Sequence, residues 1–184
     1  MRHKQLLSTD QCVLMVVDIQ DAFVSHIHEM DRVIERSRVM IKAAQLLQIP
    51  LVVTEQYPSG LGRTVEALRV ILDTQEYYDK NTFSCFQDET IKREILRLGR
   101  RQLLLIGIEA HICLAQTAYD AMALGLRPYL AVDAISSRRP GDAELAFRQL
   151  RQAGAILTST EAAIMEMTQS SKHPAFRDIS QLVK

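Results

Sequence analysis

The residues from Leu103 to Gly125 constrain this chain more than any others. Leu103-Leu104-Leu105-Ile106-Gly107-Ile108 is a short apolar run without polar alternation, the pattern of a strand buried on both faces. From Leu114 onward apolar residues recur at helical spacing and end at Gly125, a residue suited to a helix C-terminus. Cys113 stands at the junction. The first turn of a helix has unpaired N–H groups and a partial positive charge, which together lower a thiol's pKa and can hold an oxyanion. Cys113 is therefore the first candidate nucleophile.

A strand that passes into a helix is also the unit of a parallel sheet, and the rest of the chain repeats it. Residues 13–18 read as a buried strand closed by Asp18, and residues 31–48 as an amphipathic helix with Val33, Ile34, Met40, Ile41, Ala44 and Leu47 on its apolar face. Ile49-Pro50 breaks that helix, residues 51–55 form a second strand, 56–62 a loop and 65–72 a short helix. Residues 77–80 are a third strand, 81–87 a loop, and Asp88 caps a helix reaching about Leu98. Three further strands, 103–108, 128–133 and 155–158, each follow a glycine that ends a helix, namely Gly99, Gly125 and Gly154. Thr158 and Glu161 have capping-box spacing ahead of a helix over 162–167, and a last short helix lies within 176–184. This order predicts one α/β domain over residues 1–184, a three-layer α/β/α sandwich with a Rossmann-like, mainly parallel sheet of about six strands.

Composition narrows the function. Lys plus Arg and Asp plus Glu balance at 22 each, so no basic surface for nucleic acid is expected, and a small-molecule substrate or further copies of the chain are the expected partners. No apolar run is long enough to span a bilayer, and the first residues lack a signal-peptide pattern, so no membrane association and a cytoplasmic location are expected. Cys12, Cys85 and Cys113 are an odd number at no zinc-like spacing, which predicts free thiols in a reducing compartment.

Ligands of open parallel sheets bind beyond the C-terminal strand ends. Asp18, Lys80 and Cys113 all fall at such ends, after the first, third and fourth strands, so the fold can bring them together. Taken singly, a helix-start cysteine is a small core residue, a strand-end acid is a cap, and a loop lysine is solvated. In one dry pocket their chemistry is complementary: the ammonium favours a thiolate, and the carboxylate takes the thiol proton and passes it to a leaving group. Phe23, Tyr57, Phe83 and Phe86 also follow strand ends and are placed to wall a small apolar pocket, Phe23 and Phe83 first among them. His111 is two residues from Cys113 and on a helix faces away from it, which suits a surface or interface role.

Three spaced motifs now matter together. Asp18-x-Gln20-x-x-Phe23, Lys80-x-x-Phe83-Ser84-x-Phe86, and Gly107 followed by Cys113, Thr117-Ala118-x-Asp120-Ala121 and Gly125 resemble the isochorismatase-like, or cysteine hydrolase, family over nearly the whole chain. Thr54-Glu55-Gln56-Tyr57-Pro58-x-Gly60-Leu61-Gly62 and Gly107-Ile108-Glu109-Ala110-His111-x-Cys113 narrow the likeness to the isochorismatase-domain-containing proteins. The resemblance implies an Asp18, Lys80 and Cys113 triad, a cis peptide at Ile108-Glu109, and an oxyanion hole from the N–H groups of Glu109 and Cys113. It implies hydrolysis of a C–N bond in a small amide or ureide through a thioester, and assembly as a homo-oligomer; Gln20 and the four aromatics, by their places after strand ends, are the expected substrate contacts. No cofactor is implied. Nicotinamidases of this family carry an Asp/His metal cluster after the second strand, whereas Glu55-Gln56-Tyr57-Pro58 has no histidine, so no metal is expected. True isochorismatases lack the cysteine, so Cys113 argues against vinyl ether cleavage. The alternatives are a hydrolase of another small carbonyl or ether compound, or a binding or thiol-sensing protein on the same fold. Glu109 is an awkward neighbour, because its carboxylate opposes a thiolate at Cys113 if it points inward.

Overall fold

The apolar run before Asp18 becomes the centre of the sheet because both of its faces are covered. In the computed structural model, which describes residues 2–72 and 75–184, β1 spans Cys12–Val17 and every residue of it is buried. Val13, Met15 and Val17 pack on one side of the sheet, and Cys12, Leu14 and Val16 on the other, following the period of two of a strand. The remaining strands are β2 (Leu51–Gln56), β3 (Tyr77–Lys80), β4 (Gln102–Ile108), β5 (Arg127–Ser136) and β6 (Ile156–Thr158). All pairings are parallel, in the order β3-β2-β1-β4-β5-β6. The chain moves outward from β1 in one direction and then returns to lay β4 on its other side. The crevice between β1 and β4 is thus the place where strand order reverses, where such sheets bind ligands.

Helices cover both faces. The long helix α1 (Met30–Leu46) buries Val33, Met40, Ile41 and Ala44 against the side that also receives α7 (Thr160–Thr168) and α8 (Phe176–Leu182). The opposite side receives α4 (Glu89–Arg97), α5 (Ala115–Ala123) and α6 (Pro140–Ala153). Among the described residues no helix is long and apolar enough to cross a membrane.

Several local expectations change. The 56–62 segment is not all loop, since Pro58–Leu61 forms a single turn, α2, with proline at the start where a missing N–H costs nothing. The 65–72 helix shortens to one turn, α3 (Glu66–Arg69). Asp88 caps α4 as its spacing suggests, accepting from Thr90 N–H at 2.9 Å and Ile91 N–H at 3.1 Å. The cap of α7 is one residue later than expected: Ser159, not Thr158, accepts from Ala162 N–H. β5 runs three residues beyond Asp133 because a register shift opposite Leu105 and Gly107 lets it continue to Ser136. Asp133 instead receives the N–H of Thr160 at 2.8 Å and holds the start of α7.

Gly107 sets how closely β4 approaches β1. Its φ is +121°, and a Cβ there would lie 2.1 Å from the carbonyl oxygen of Val17, the residue it pairs with. Backbone has no room to yield in the middle of a sheet. Gly107→Ala is expected to cost several kcal/mol or to prevent folding, whereas Gly99→Ala, at φ +66° with open space around it, costs about 1–2 kcal/mol. Urea denaturation midpoints of the two variants test this order.

Candidate active site

Three strand ends build the centre of the site. Asp18 follows β1 with φ +55°, a left-handed conformation that Asp tolerates better than most residues, and its side chain is buried. Its Oδ1 accepts from Thr54 Oγ1 at 2.8 Å, and its Oδ2 accepts from Lys80 Nζ at 2.7 Å. Lys80 is the last residue of β3; alternation along that strand leaves Asp79 exposed and turns Lys80 inward, where it is 2% exposed. Its ammonium also donates to Gln56 Oε1 at 2.6 Å, to the carbonyls of Thr82 and Phe83 at 3.2 and 3.3 Å, and to Cys113 Sγ at 3.8 Å. Cys113 comes from beyond β4, in a π-helical turn over Ala110–Leu114 that precedes α5. Within that turn the Glu109 carbonyl accepts from Ile112 N–H and Leu114 N–H, the residues on either side of Cys113. The Ile108-Glu109 peptide is cis.

The helix start and the lysine were expected to lower the Cys113 thiol pKa; the structure reverses that expectation. Burial pushes the thiol up, the Asp18 carboxylate adds to the rise, and the Lys80 charge offsets only part of it. Burial is the largest single influence on the Lys80 ammonium and lowers it, but the Asp18 charge, the Cys85 and Cys113 sulfurs and the hydrogen bond to Asp18 together outweigh it and hold Lys80 above its ordinary value. The centre thus sets a thiol whose pKa is held above its ordinary value beside a buried ion pair. Cys85 is a second thiol close to this centre: burial, and then the Asp18 charge, push it up to about 12. It packs in the core, and its N–H donates to Thr117 Oγ1.

Cys113 opens on a cavity of about 340 Å³ lined mainly by apolar groups, including Phe23, Leu61, Phe83, Ile108 and Ile112. Of the aromatics singled out from sequence, Phe23 and Phe83 line it. Tyr57 stands outside it, 54% exposed and against Gly60, and Phe86 is buried in the core. Gln20 does not reach it either. Its Nε2 donates to the carbonyls of Gln56 and Gly62, at 3.0 and 2.7 Å, and its Oε1 accepts from Gln56 N–H at 2.8 Å, so it ties the end of β2 to the following loop. Glu109 does not face the thiol unpaired: it meets Arg138, whose N–H and Nε donate to Glu109 Oε2 at 2.9 and 3.1 Å. That pair settles the charge beside Cys113. His111 turns away, its Nδ1 2.9 Å from Ser137 Oγ and its Nε2 3.9 Å from Asp142. Thr54 and Gln56 were missed as contacts of the centre, although both lie in the quoted β2 motif with alternation placing them on one face.

A switch-point cavity over a strand-end Asp, Lys and Cys defines a class, the α/β hydrolytic fold of the isochorismatase type. The Isochorismatase domain family model matches residues 12–162, and the chain belongs to that family as an isochorismatase-family hydrolase. Among curated proteins, Isochorismatase domain-containing protein 2 of Danio rerio is 36% identical over 178 residues, covering 96% of this chain and 89% of that protein. The solved structure of MAR1 ribonuclease from Caenorhabditis elegans superposes with a TM-score of 0.90 at 40% identity, covering 97% of this chain and 92% of that one. The YcaC gene product of Escherichia coli, described as an octameric hydrolase of unknown specificity, shares the fold with a TM-score of 0.87 at 19% identity, over 98% of this chain and 97% of that one.

Lys80→Met strands a buried carboxylate and is expected to cost about 3–5 kcal/mol of stability, while Lys80→Met combined with Asp18→Asn costs much less, read as urea midpoints. A thiol that keeps its proton reacts slowly at neutral pH, so alkylation of Cys113 by iodoacetamide, followed by peptide mass, should rise only above the ordinary thiol range near 8.5. By linkage, a raised thiol contributes stability that falls as pH climbs through that unfolded-state range.

Proposed function

We propose that this protein is a metal-independent cysteine hydrolase that cleaves the C–N bond of a small, uncharged amide or ureide through Cys113, Asp18 and Lys80. The observation that carries this reading is the contact of a buried Asp18–Lys80 pair with the Cys113 sulfur at the floor of an apolar cavity. Charge balance points to the substrate class. Asp18 is cancelled by Lys80 and Glu109 by Arg138, so the cavity offers no net charge to attract an ionic ligand. Its apolar wall suits a compact hydrocarbon group next to the carbonyl.

The chemistry follows from a thiol that is neutral at rest. As the sulfur attacks the carbonyl carbon, its proton passes to Asp18 and the carbonyl π electrons move onto oxygen. The N–H groups of Glu109 and Cys113 receive that oxyanion. Collapse breaks the C–N bond, and the departing nitrogen takes the proton from Asp18. Water then attacks the thioester, again giving its proton to Asp18; the acid leaves and the proton returns to sulfur. Lys80 stays charged throughout and holds Asp18 in place while stabilising negative charge on sulfur. Polarisation of the carbonyl comes from backbone N–H groups, so no metal is required in the cycle.

Cys113→Ala is expected to abolish hydrolysis of any amide found by screening, and Asp18→Asn to lower kcat by at least about a hundredfold. Mass spectrometry of the rapidly quenched wild-type reaction should show an acyl adduct on the Cys113 peptide. Full turnover by Cys113→Ala would falsify the nucleophile assignment. The ribonuclease name of the Caenorhabditis elegans relative supplies a second substrate to test: hydrolysis of an RNA oligonucleotide by the wild type, lost in Cys113→Ala, with no amide turned over, would replace the amide reading.

A further inference from the structure

The Lys80 ammonium has three N–H donors and five acceptors around it. Ranked by distance, these are Gln56 Oε1 at 2.6 Å, Asp18 Oδ2 at 2.7 Å, the Thr82 and Phe83 carbonyls at 3.2 and 3.3 Å, and Cys113 Sγ at 3.8 Å. By distance the two side-chain oxygens are the acceptors best placed to take one proton each. The third is left to two backbone carbonyls and the sulfur, and the sulfur is the farthest.

Gln56 is held in the position that makes it compete. It lies directly opposite Lys80 in the β2–β3 register. Its backbone N–H and carbonyl are both bound by the buried Gln20 side chain, at 2.8 and 3.0 Å. Its own Nε2 donates to the Asn81 carbonyl at 3.0 Å, which fixes Oε1 as the atom turned towards the ammonium. Gln56 also lines the cavity above Cys113. Lys80 does not depend on Gln56 for its place, because Asp18 and the Thr82 and Phe83 carbonyls hold it from other sides.

We propose that Gln56 is a positioning residue that withholds one Lys80 proton from the Cys113 sulfur, so that the free enzyme keeps its nucleophile a protonated, unreactive thiol. Gln20, buried and bound to the Gln56 backbone, serves the same purpose one step further out. The groups that face Cys113 are Asp18 after β1, Lys80 on β3, Cys85 in the turn after β3, and the Glu109–Arg138 pair after β4 and β5. Of these only Lys80 brings positive charge within hydrogen-bonding reach of the sulfur, so the way Lys80 divides its donors decides how well a thiolate is supported. The inference rests on the proposed function only in taking Cys113 as the nucleophile.

The test uses the full chain and needs no substrate. The pH dependence of Cys113 alkylation by iodoacetamide is measured by peptide mass for wild type, Gln56→Met and Gln56→Glu, with native circular dichroism and the melting temperature recorded for each. Gln56→Met keeps the length of the side chain but removes the strong acceptor, so Cys113 should react about tenfold faster at pH 7.5, with its pH profile moved to lower pH. Gln56→Glu adds a second carboxylate to Lys80 and should react more slowly than wild type. A Gln56→Met protein that is folded and reacts at the wild-type rate or slower overturns the proposal, as does a Gln56→Glu protein that reacts faster. A residue that merely supported the fold would change the melting temperature without this opposite pair of effects. If the opposite pair appears in a protein that hydrolyses no amide, the hydrolase reading fails and this one stands. An active amidase whose profile ignores both substitutions refutes this inference alone.

Discussion

The Asp18–Lys80 ion pair is the interaction on which the rest of the site depends. Both groups are withdrawn from water, and burying two charges costs several kcal/mol each unless geometry and further hydrogen bonds offset it. Here the compensation is dense: Thr54 satisfies the second oxygen of Asp18, while Gln56 and two backbone carbonyls surround the ammonium. The contacts come from β1, β2, β3 and the segment after β3, so the pair can form only when those three strands are in register. An apolar pair of similar size would hold the sheet at least as well. What an apolar pair would not supply is a carboxylate and a fixed cation beside the same sulfur.

The sulfur arrives from the other half of the sheet, and its arrival is a backbone problem. β4 must lie against β1 closely enough for the residues after Ile108 to reach the carboxylate after Val17. Gly107 permits this, since any side chain there would enter the Val17 carbonyl. The chain then passes through the cis Ile108-Glu109 peptide and the π-helical turn that presents Cys113 towards the crevice. The same turn sends the Glu109 carboxylate towards Arg138, across the end of β5, where the charge is paired instead of facing the thiol. Strand order, one glycine and one turn therefore place Cys113 where its neighbours are opposite in sign and balanced.

Much of this was legible in the sequence because its signals are local. Doubly buried strands show as unbroken apolar runs, and Asp18, Lys80 and Cys113 could be grouped because strand ends in a parallel sheet share one edge. What stayed hidden depends on pairing between distant residues. Gln20 and Gln56 read alike as polar residues near strand ends, yet one clamps backbone and the other touches the ammonium; register, not composition, separates them. Tyr57 and Phe86 failed as cavity walls while Phe23 and Phe83 succeeded, since which side of a loop faces the crevice is not encoded by spacing. Glu109 read as an awkward neighbour of Cys113 because its partner Arg138 lies 29 residues later in the chain. The direction of the Cys113 shift was misjudged for a related reason: a helix start is visible in sequence, whereas the depth of burial and the proximity of Asp18 are not.

That direction bears on what kind of catalyst such a centre can be. A site that stored a ready thiolate would keep negative charge in an apolar cavity at all times and would expose it to any electrophile or oxidant small enough to enter. A site that stores a thiol, a carboxylate and an ammonium keeps the same proton in a less reactive place. In the proposed reaction charge then separates only as a carbonyl carbon meets the sulfur, when the proton can move to Asp18 and the new negative charge can be met by N–H groups and Lys80. Stabilisation that appears at that moment, and not before, lowers the barrier rather than merely tightening binding. The uncharged substrate proposed for this site suits that arrangement, because it would enter a neutral, apolar cavity without disturbing either ion pair and would call on the buried charges only when its own carbonyl began to react.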